Sequence, residues 1–170
     1  EAYFLSKKLC KLGKHSECYA RFTAIAAKLN LVDEAFLKRA NIIPLVKGAP
    51  ESFLGSISNN LALVDASASS YACVLRAFKS LDFFGDLSDD YPGMLAVLAI
   101  QAEDYNQAIK YIISYNKSRG LNLSLVRLLI TKAEKSVGPD ILRTWLNSIR
   151  QFSMEDRQLA LWEALFLSEL

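Results

Sequence analysis

PGMLAVLAIQAEDYNQAIKYIISYNKSRG, residues 92–120, has the pattern of two helices joined by a tight turn. Pro92 suits a helix start, because its missing N–H is one that the first turn leaves unpaired. The apolar residues of the first helix recur at three- and four-residue spacing and are Leu95, Leu98, Ala99 and Ala102. Asp104 can cap the second helix, and Gly120 can end it in a left-handed conformation. This stretch therefore predicts a helical hairpin.

Small residues lie along both predicted helices and are Ala96, Ala99, Ala102 and Ala108. They allow two helix backbones to approach closely. Together with the turn AEDYNQAI, this stretch resembles a tetratricopeptide repeat, whose small-residue helix is followed by a turn like GDY and a helix with an alanine at about this place. The early aromatic residue of that family is absent here, and Ala96 stands where the family has glycine. The resemblance covers residues 92–152 most clearly, and it implies antiparallel helical hairpins stacked as a short α-solenoid.

Repeats of this family recur at about 34 residues. That step carries five apolar residues onto five others, and the pairs are Leu95 with Leu129, Ala96 with Ile130, Ala99 with Ala133, Ala108 with Leu142, and Ile112 with Leu146. The turn Gly138-Pro139-Asp140 is again a helix start. We expect a real repeat here. The other interpretation is that amphipathic helices share a period in any case.

The rest of the chain also reads as amphipathic helices. They are predicted over residues 2–13, 16–29, 32–43, 50–64, 71–84, 123–137, 139–152 and 153–167. About ten helices and no alternating strand pattern predict an all-α chain, in which short joins make neighbouring helices antiparallel. Seven glycines and four prolines are few, which also favours helix over a sheet with many turns. We interpret residues 1–170 as one helical-repeat domain or a piece of a longer chain.

Composition excludes little. A net charge of +2 neither requires nucleic acid nor excludes a local basic surface. Three cysteines are an odd number, which fits reduced thiols and an intracellular compartment, cytoplasmic or organellar. No apolar run approaches the roughly 20 residues that span a bilayer. The chain opens on Glu1 rather than methionine, so we expect a processed protein or a fragment.

Reactive side chains are sparse. Cys10, His15 and Cys18 have ligand types that suit zinc, but a structural site needs four ligands and Cys73 stands apart. We expect Cys10 and Cys18 to pack as small apolar residues, and His15 to lie in a surface turn. Serine-nucleophile and phosphate-binding glycine motifs are absent. The sequence therefore predicts no metal, no cofactor and no enzymatic activity.

Basic residues repeat along several predicted helices. Lys110 and Lys117 are seven residues apart, as are Arg143 and Arg150. Such rows form either the solvated face of an amphipathic helix or a phosphate-contacting surface. The candidate partner-binding residues are Tyr71, Arg76, Arg127, Arg143 and Arg150.

Two functions follow as hypotheses. The first is a non-catalytic scaffold or adaptor, because stacked helical pairs leave an extended surface that can accept a peptide or a neighbouring subunit. The alternative is an RNA-contacting protein of an organellar or ribosomal assembly, with Arg143 and Arg150 on phosphates. Helical pairs of this length also resemble pentatricopeptide repeats, which bind single-stranded RNA. The segment SRGLNLS is similar to the end of such a repeat, although it lacks the family's proline and terminal Asp or Asn.

Overall fold

The computed structural model describes residues 16–29, 31, 50–79 and 89–153. It contains seven helices in these ranges: α1 (Ser16–Lys28), α2 (Pro50–Leu63), α3 (Ala68–Lys79), α4 (Tyr91–Gln101), α5 (Tyr105–Arg119), α6 (Leu123–Ala133) and α7 (Pro139–Ser153). No strand occurs in them, so the prediction of an all-α chain is confirmed. The helices predicted over 2–13, 32–43 and 153–167 fall outside these ranges, apart from Ser153, which ends α7.

The chain divides into two compact units, residues 1–88 (unit 1) and 89–170 (unit 2). A stack of helical pairs divides in this way too, because each pair contacts only its neighbours. The interpretation of the chain as one helical-repeat domain therefore stays a prediction. None of the helices in the described ranges has both the length and the apolar character that crossing a membrane requires.

Unit 1 is built on the packing of α1 against α2. Its buried apolar residues in the described ranges are Ala20, Phe22, Ala24, Ala26, Leu54, Ile57, Leu61, Tyr71, Cys73, Val74, Leu75 and Phe78. α3 begins at Ala68, three residues before the predicted start at Tyr71. The carbonyl of Ser67 accepts hydrogen bonds from the N–H groups of Ser70 (3.0 Å) and Tyr71 (3.3 Å), so the polar run ASASS forms the first helical turn.

Unit 2 is organised around α4, which has no exposed residue. A helix that is apolar on every side is buried on every side. α4 packs most extensively against α5 and also contacts α6, while α5 contacts both α6 and α7. The core of unit 2 therefore lies between α4 and its partners.

Two predicted boundaries in unit 2 differ from those observed. Pro92 occupies the second helical position, because the helix starts at Tyr91. α6 ends at Ala133 rather than Val137, because the N–H groups of Ser136 and Val137 both donate to the Ala133 carbonyl and close the chain into turns (2.9 Å each).

Candidate interaction surface

Small residues bring α4 and α5 close together. Ala96, Ala99 and Ala108 are fully buried. Gly93 lies beneath the ring of Tyr115, so that a Cβ at position 93 would stand 2.8 Å from Tyr115 Cδ2 and 2.9 Å from Cε2. Since carbon atoms normally pack at about 3.5–4.0 Å, only glycine fits at position 93 without a shift of the ring. The hairpin is thus a close-packed platform for unit 2.

The turn between α4 and α5 satisfies the helix ends through the backbone. The N–H of Asp104 donates to the Ala99 carbonyl (2.9 Å) and that of Glu103 to the Ile100 carbonyl (3.1 Å), which is the Schellman arrangement at a helix C-terminus. Glu103 takes the left-handed conformation that this motif requires, at φ 59°. The Asp104 carboxylate then accepts from the N–H of Gln107 (3.3 Å), so the predicted cap of α5 is confirmed.

The open end of the hairpin carries an ion pair. Arg119, the last residue of α5, places Nε 3.2 Å from Asp90 Oδ1 and donates from Nη2 to Asp90 Oδ2 at 3.3 Å. Asp90 directly precedes α4, so the contact links the two ends of the hairpin. Both side chains are about half exposed, which limits the stabilisation to a fraction of a kcal/mol. Gly120 follows at φ 84° and ψ 175°, a positive-φ region that is essentially reserved for glycine.

Asn116 fixes the connection from α5 to α6. Its side chain is 3% exposed, and its Oδ1 accepts from the N–H of Asn122 at 3.1 Å. Asn122 in turn caps α6, with Oδ1 accepting from the N–H groups of Ser124 (3.1 Å) and Leu125 (3.2 Å). The two asparagines therefore set where α6 begins.

Tyr105 joins α5 to the two helices that follow it. Its hydroxyl donates to the Lys132 carbonyl at the end of α6 (3.2 Å) and lies 3.3 Å from Ser136 Oγ. Its ring lies against Trp145 of α7, with ring centroids 5.5 Å apart and planes tilted by 41°. Both rings are half-buried. The aromatic pair contributes on the order of 0.5–1.5 kcal/mol beyond the area it buries.

The residues predicted to bind a partner differ in exposure. Arg76, Arg127 and Arg143 are exposed and Arg150 is half-buried. Tyr71, in contrast, is 4% exposed. Burial raises the pKa of its phenol, and the nearby Asp65 carboxylate adds to the shift. Tyr71 thus belongs to the core rather than to a contact surface.

The described side chains offer little reactive chemistry. Within the described ranges, no group of three or more His, Cys, Asp or Glu side chains is placed to hold a metal ion. Cys73 is a buried free thiol in α3. Cys10 and His15 lie outside the described residues, and Cys18 falls in α1 at a position whose side chain is not described.

The charge distribution adds a feature that the total charge conceals. The segment Tyr105–Ala133, which comprises α5 and α6, contains no Asp or Glu and five basic residues, namely Lys110, Lys117, Arg119, Arg127 and Lys132. The chain carries +2 and this segment +5, so the remaining residues together carry −3. All five basic side chains are exposed. Charge counted segment by segment, rather than over the whole chain, would have found this set.

Comparison of the chain with models of known protein families, with curated proteins and with solved structures finds no match. The resemblance to tetratricopeptide repeats therefore depends on the residues quoted above and on the arrangement of the four helices of unit 2. The site that these helices support is a protein surface: a rigid hairpin, two further helices joined to it, and exposed basic side chains.

Proposed function

We propose that the protein is a non-catalytic helical-repeat scaffold or adaptor, which binds a peptide or a neighbouring subunit. In this proposal α4–α5 and α6–α7 are successive repeats of a short solenoid. The observation that carries the proposal is that the same spacing recurs in helix length, in burial and in contacts, which are three separate properties.

Helix lengths support the repeat. α5 and α7 both have 15 residues and start at residues 105 and 139, which are 34 residues apart. α4 and α6 both have 11 residues and start at residues 91 and 123, which are 32 residues apart. Unrelated amphipathic helices would share the period of their apolar residues but need not alternate in length.

Burial supports it as well. Four of the five residue pairs that the 34-residue step relates are buried at both members, and these are Leu95 with Leu129, Ala99 with Ala133, Ala108 with Leu142, and Ile112 with Leu146. The fifth pair joins Ala96, which is fully buried, to Ile130, which is half-buried. Equivalent positions therefore have equivalent surroundings at four of five places.

Contacts between alternate helices are the third support. α4 contacts α6, and α5 contacts α7, in addition to the contact within the α4–α5 hairpin. Stacked hairpins produce such contacts, because first helices line up in one layer and second helices in another. Stacking of this kind offers a partner one outer face of each layer, and Arg127 is exposed on α6.

A photo-cross-linking experiment tests the proposal. The photoreactive amino acid benzoylphenylalanine would replace Arg127 in the full chain, which is then exposed to extract from the native source with and without ribonuclease. We expect a cross-link to a protein that survives ribonuclease. The matched control places the same residue at Leu63, which is 83% exposed but is not a predicted contact. A cross-link that disappears with ribonuclease, or one that forms equally from Leu63, would contradict the proposal.

RNA contact is the second candidate function, favoured by the exposed basic residues of α5, α6 and α7. It predicts binding to single-stranded RNA that weakens as salt rises. Replacing Arg143 and Arg150 together by Glu should then abolish retention on RNA. Unchanged retention in that double variant would remove both arginines from the RNA-contacting model.

A further inference from the structure

We infer that the partner presents an acidic peptide segment, which docks on α5 and α6 through their exposed basic side chains. This inference rests on the proposed scaffold function, because it names the chemistry of the partner that the scaffold would hold. We call the segment Tyr105–Ala133 the cationic hairpin. Its charge of +5 and its lack of any carboxylate are the starting observations.

The cationic hairpin has no internal neutralisation. On a helix, a basic side chain is commonly balanced by an acidic one three or four residues away. The positions at those distances from Lys110 and from Arg127 carry no Asp or Glu. The nearest acidic residues in the chain lie in the turns and at the start of α7, and they include Glu103, Asp104 and Asp140.

The spacing of the basic residues suits an extended or helical acidic segment. Lys110 and Lys117 are seven residues apart, two helical turns, so they occupy one face of α5 at an axial distance of about 10.5 Å. That distance is near the Debye length of about 8 Å at physiological salt, so each cation acts largely on its own partner charge. A segment with several carboxylates could therefore pair with Lys110, Lys117 and Arg127 individually.

Aromatic geometry favours an acidic peptide over single-stranded RNA. Proteins that hold single strands combine basic grooves with aromatic faces on which bases stack. The tyrosines of α5 are engaged instead: Tyr105 packs on Trp145, Tyr115 covers Gly93, and Tyr111 is half-buried. The cationic hairpin thus offers charge without a stacking face.

Binding measurements on the full chain test the inference. The probes are a fluorescent peptide of alternating Glu and Ala, the same peptide with Gln in place of Glu, and a fluorescent oligouridylate of equal length. We expect the Glu peptide alone to bind, and high salt to weaken it. The variant Lys110→Glu with Arg127→Glu should weaken that binding by about ten-fold, since each reversed charge contributes a factor of about two to five. Circular dichroism checks that the variant keeps its helical content.

The matched control is Arg21→Glu with Arg76→Glu, which changes the net charge equally at two exposed positions of unit 1. We expect it to weaken binding much less than the variant of the cationic hairpin. Equal weakening by both variants would overturn the inference, because net charge alone would then explain binding. Preference for oligouridylate would overturn it in favour of RNA, and failure of the Glu peptide to bind would also overturn it. None of these outcomes removes a ribonuclease-resistant cross-link from Arg127, so the scaffold function would be judged separately.

Discussion

Replacing Gly93 by alanine should destabilise the α4–α5 hairpin, although the same change normally stabilises a helix. Alanine in a helix interior is favoured over glycine by about 0.5–1 kcal/mol. At position 93 the new Cβ would lie 2.8 Å from Tyr115 Cδ2, so the ring must move by about 0.7 Å or more to restore normal contact. Overpacking of this kind costs about 1–3 kcal/mol. The net expectation is a loss of about 0.5–2 kcal/mol.

Gly55 offers the matched control, because a Cβ at that position in α2 meets no atom within 4 Å. Gly55→Ala should therefore stabilise by the helix term alone, about 0.5–1 kcal/mol. Urea unfolding followed by circular dichroism measures both free energies of unfolding. Hydrogen exchange on the amides of α2 and α4 assigns each change to its own helix, since two compact units need not unfold together.

A double variant separates the steric effect from other consequences of the Gly93 substitution. In a Tyr115→Ala background the ring is gone, and Gly93→Ala should then stabilise as Gly55→Ala does. The reasoning would be refuted if Gly93→Ala alone stabilised the chain as much as Gly55→Ala. It would also be refuted if the loss persisted unchanged without the Tyr115 ring.

Three further expectations concern the joints of unit 2. Tyr105→Phe should cost about 0.5–1 kcal/mol in unfolding free energy measured with urea, because it removes the hydrogen bond to the Lys132 carbonyl but keeps the ring contact. Glu103→Gly should stabilise by about 0.5–1 kcal/mol in the same assay, because Glu103 holds a left-handed conformation that glycine adopts freely. Burial, aided by Asp104, raises the pKa of Tyr111, so stability should fall as pH rises above about 10, and Tyr111→Phe should flatten that fall in a pH series of thermal unfolding.

Each of these expectations has a control. Tyr105→Ala should cost more than Tyr105→Phe, since it also removes the contact with Trp145; equal costs would show that the ring contributes nothing. Ala102→Gly, one residue before Glu103 and at φ −80°, should destabilise, and a gain there would contradict the conformational argument. The pH-dependent fall should persist in part after Tyr111→Phe, because the pKa of Tyr71 is raised by burial as well.

The basic residues of unit 2 narrow the kinds of partner that suit the proposed scaffold. A peptide held mainly by Lys110, Lys117 and Arg127 would bind rapidly and reversibly, because exposed charge pairs act mostly on the rate of encounter and respond to salt. Arg143 and Arg150 lie on the next helix along the chain and remain candidates for a phosphate-bearing partner. The two sets can be reversed independently, so binding assays can assign a partner to one or the other.

Tyr71 illustrates why exposure was harder to predict than helix. Its position before Val74, Leu75 and Phe78 follows the three- and four-residue spacing of a core face, and all four residues are buried. The prediction placed Tyr71 at the first residue of its helix, where side chains are often exposed. Once Ser67 and the residues after it form a first turn, Tyr71 moves into the helix interior and into the core.

Helices, turns and caps could be read directly from the chain, because they depend on residues within a few positions of each other. The capping of α5 by Asp104 and the positive φ of Gly120 are such local properties. Packing between helices depends instead on how side chains distant in sequence fit together. Tyr105 reaches the Lys132 carbonyl 27 residues away, and Gly93 accepts the ring of Tyr115, and neither contact is implied by any periodicity. The identity of the contacting helices and the exposure of each arginine thus emerged only when the whole chain was folded.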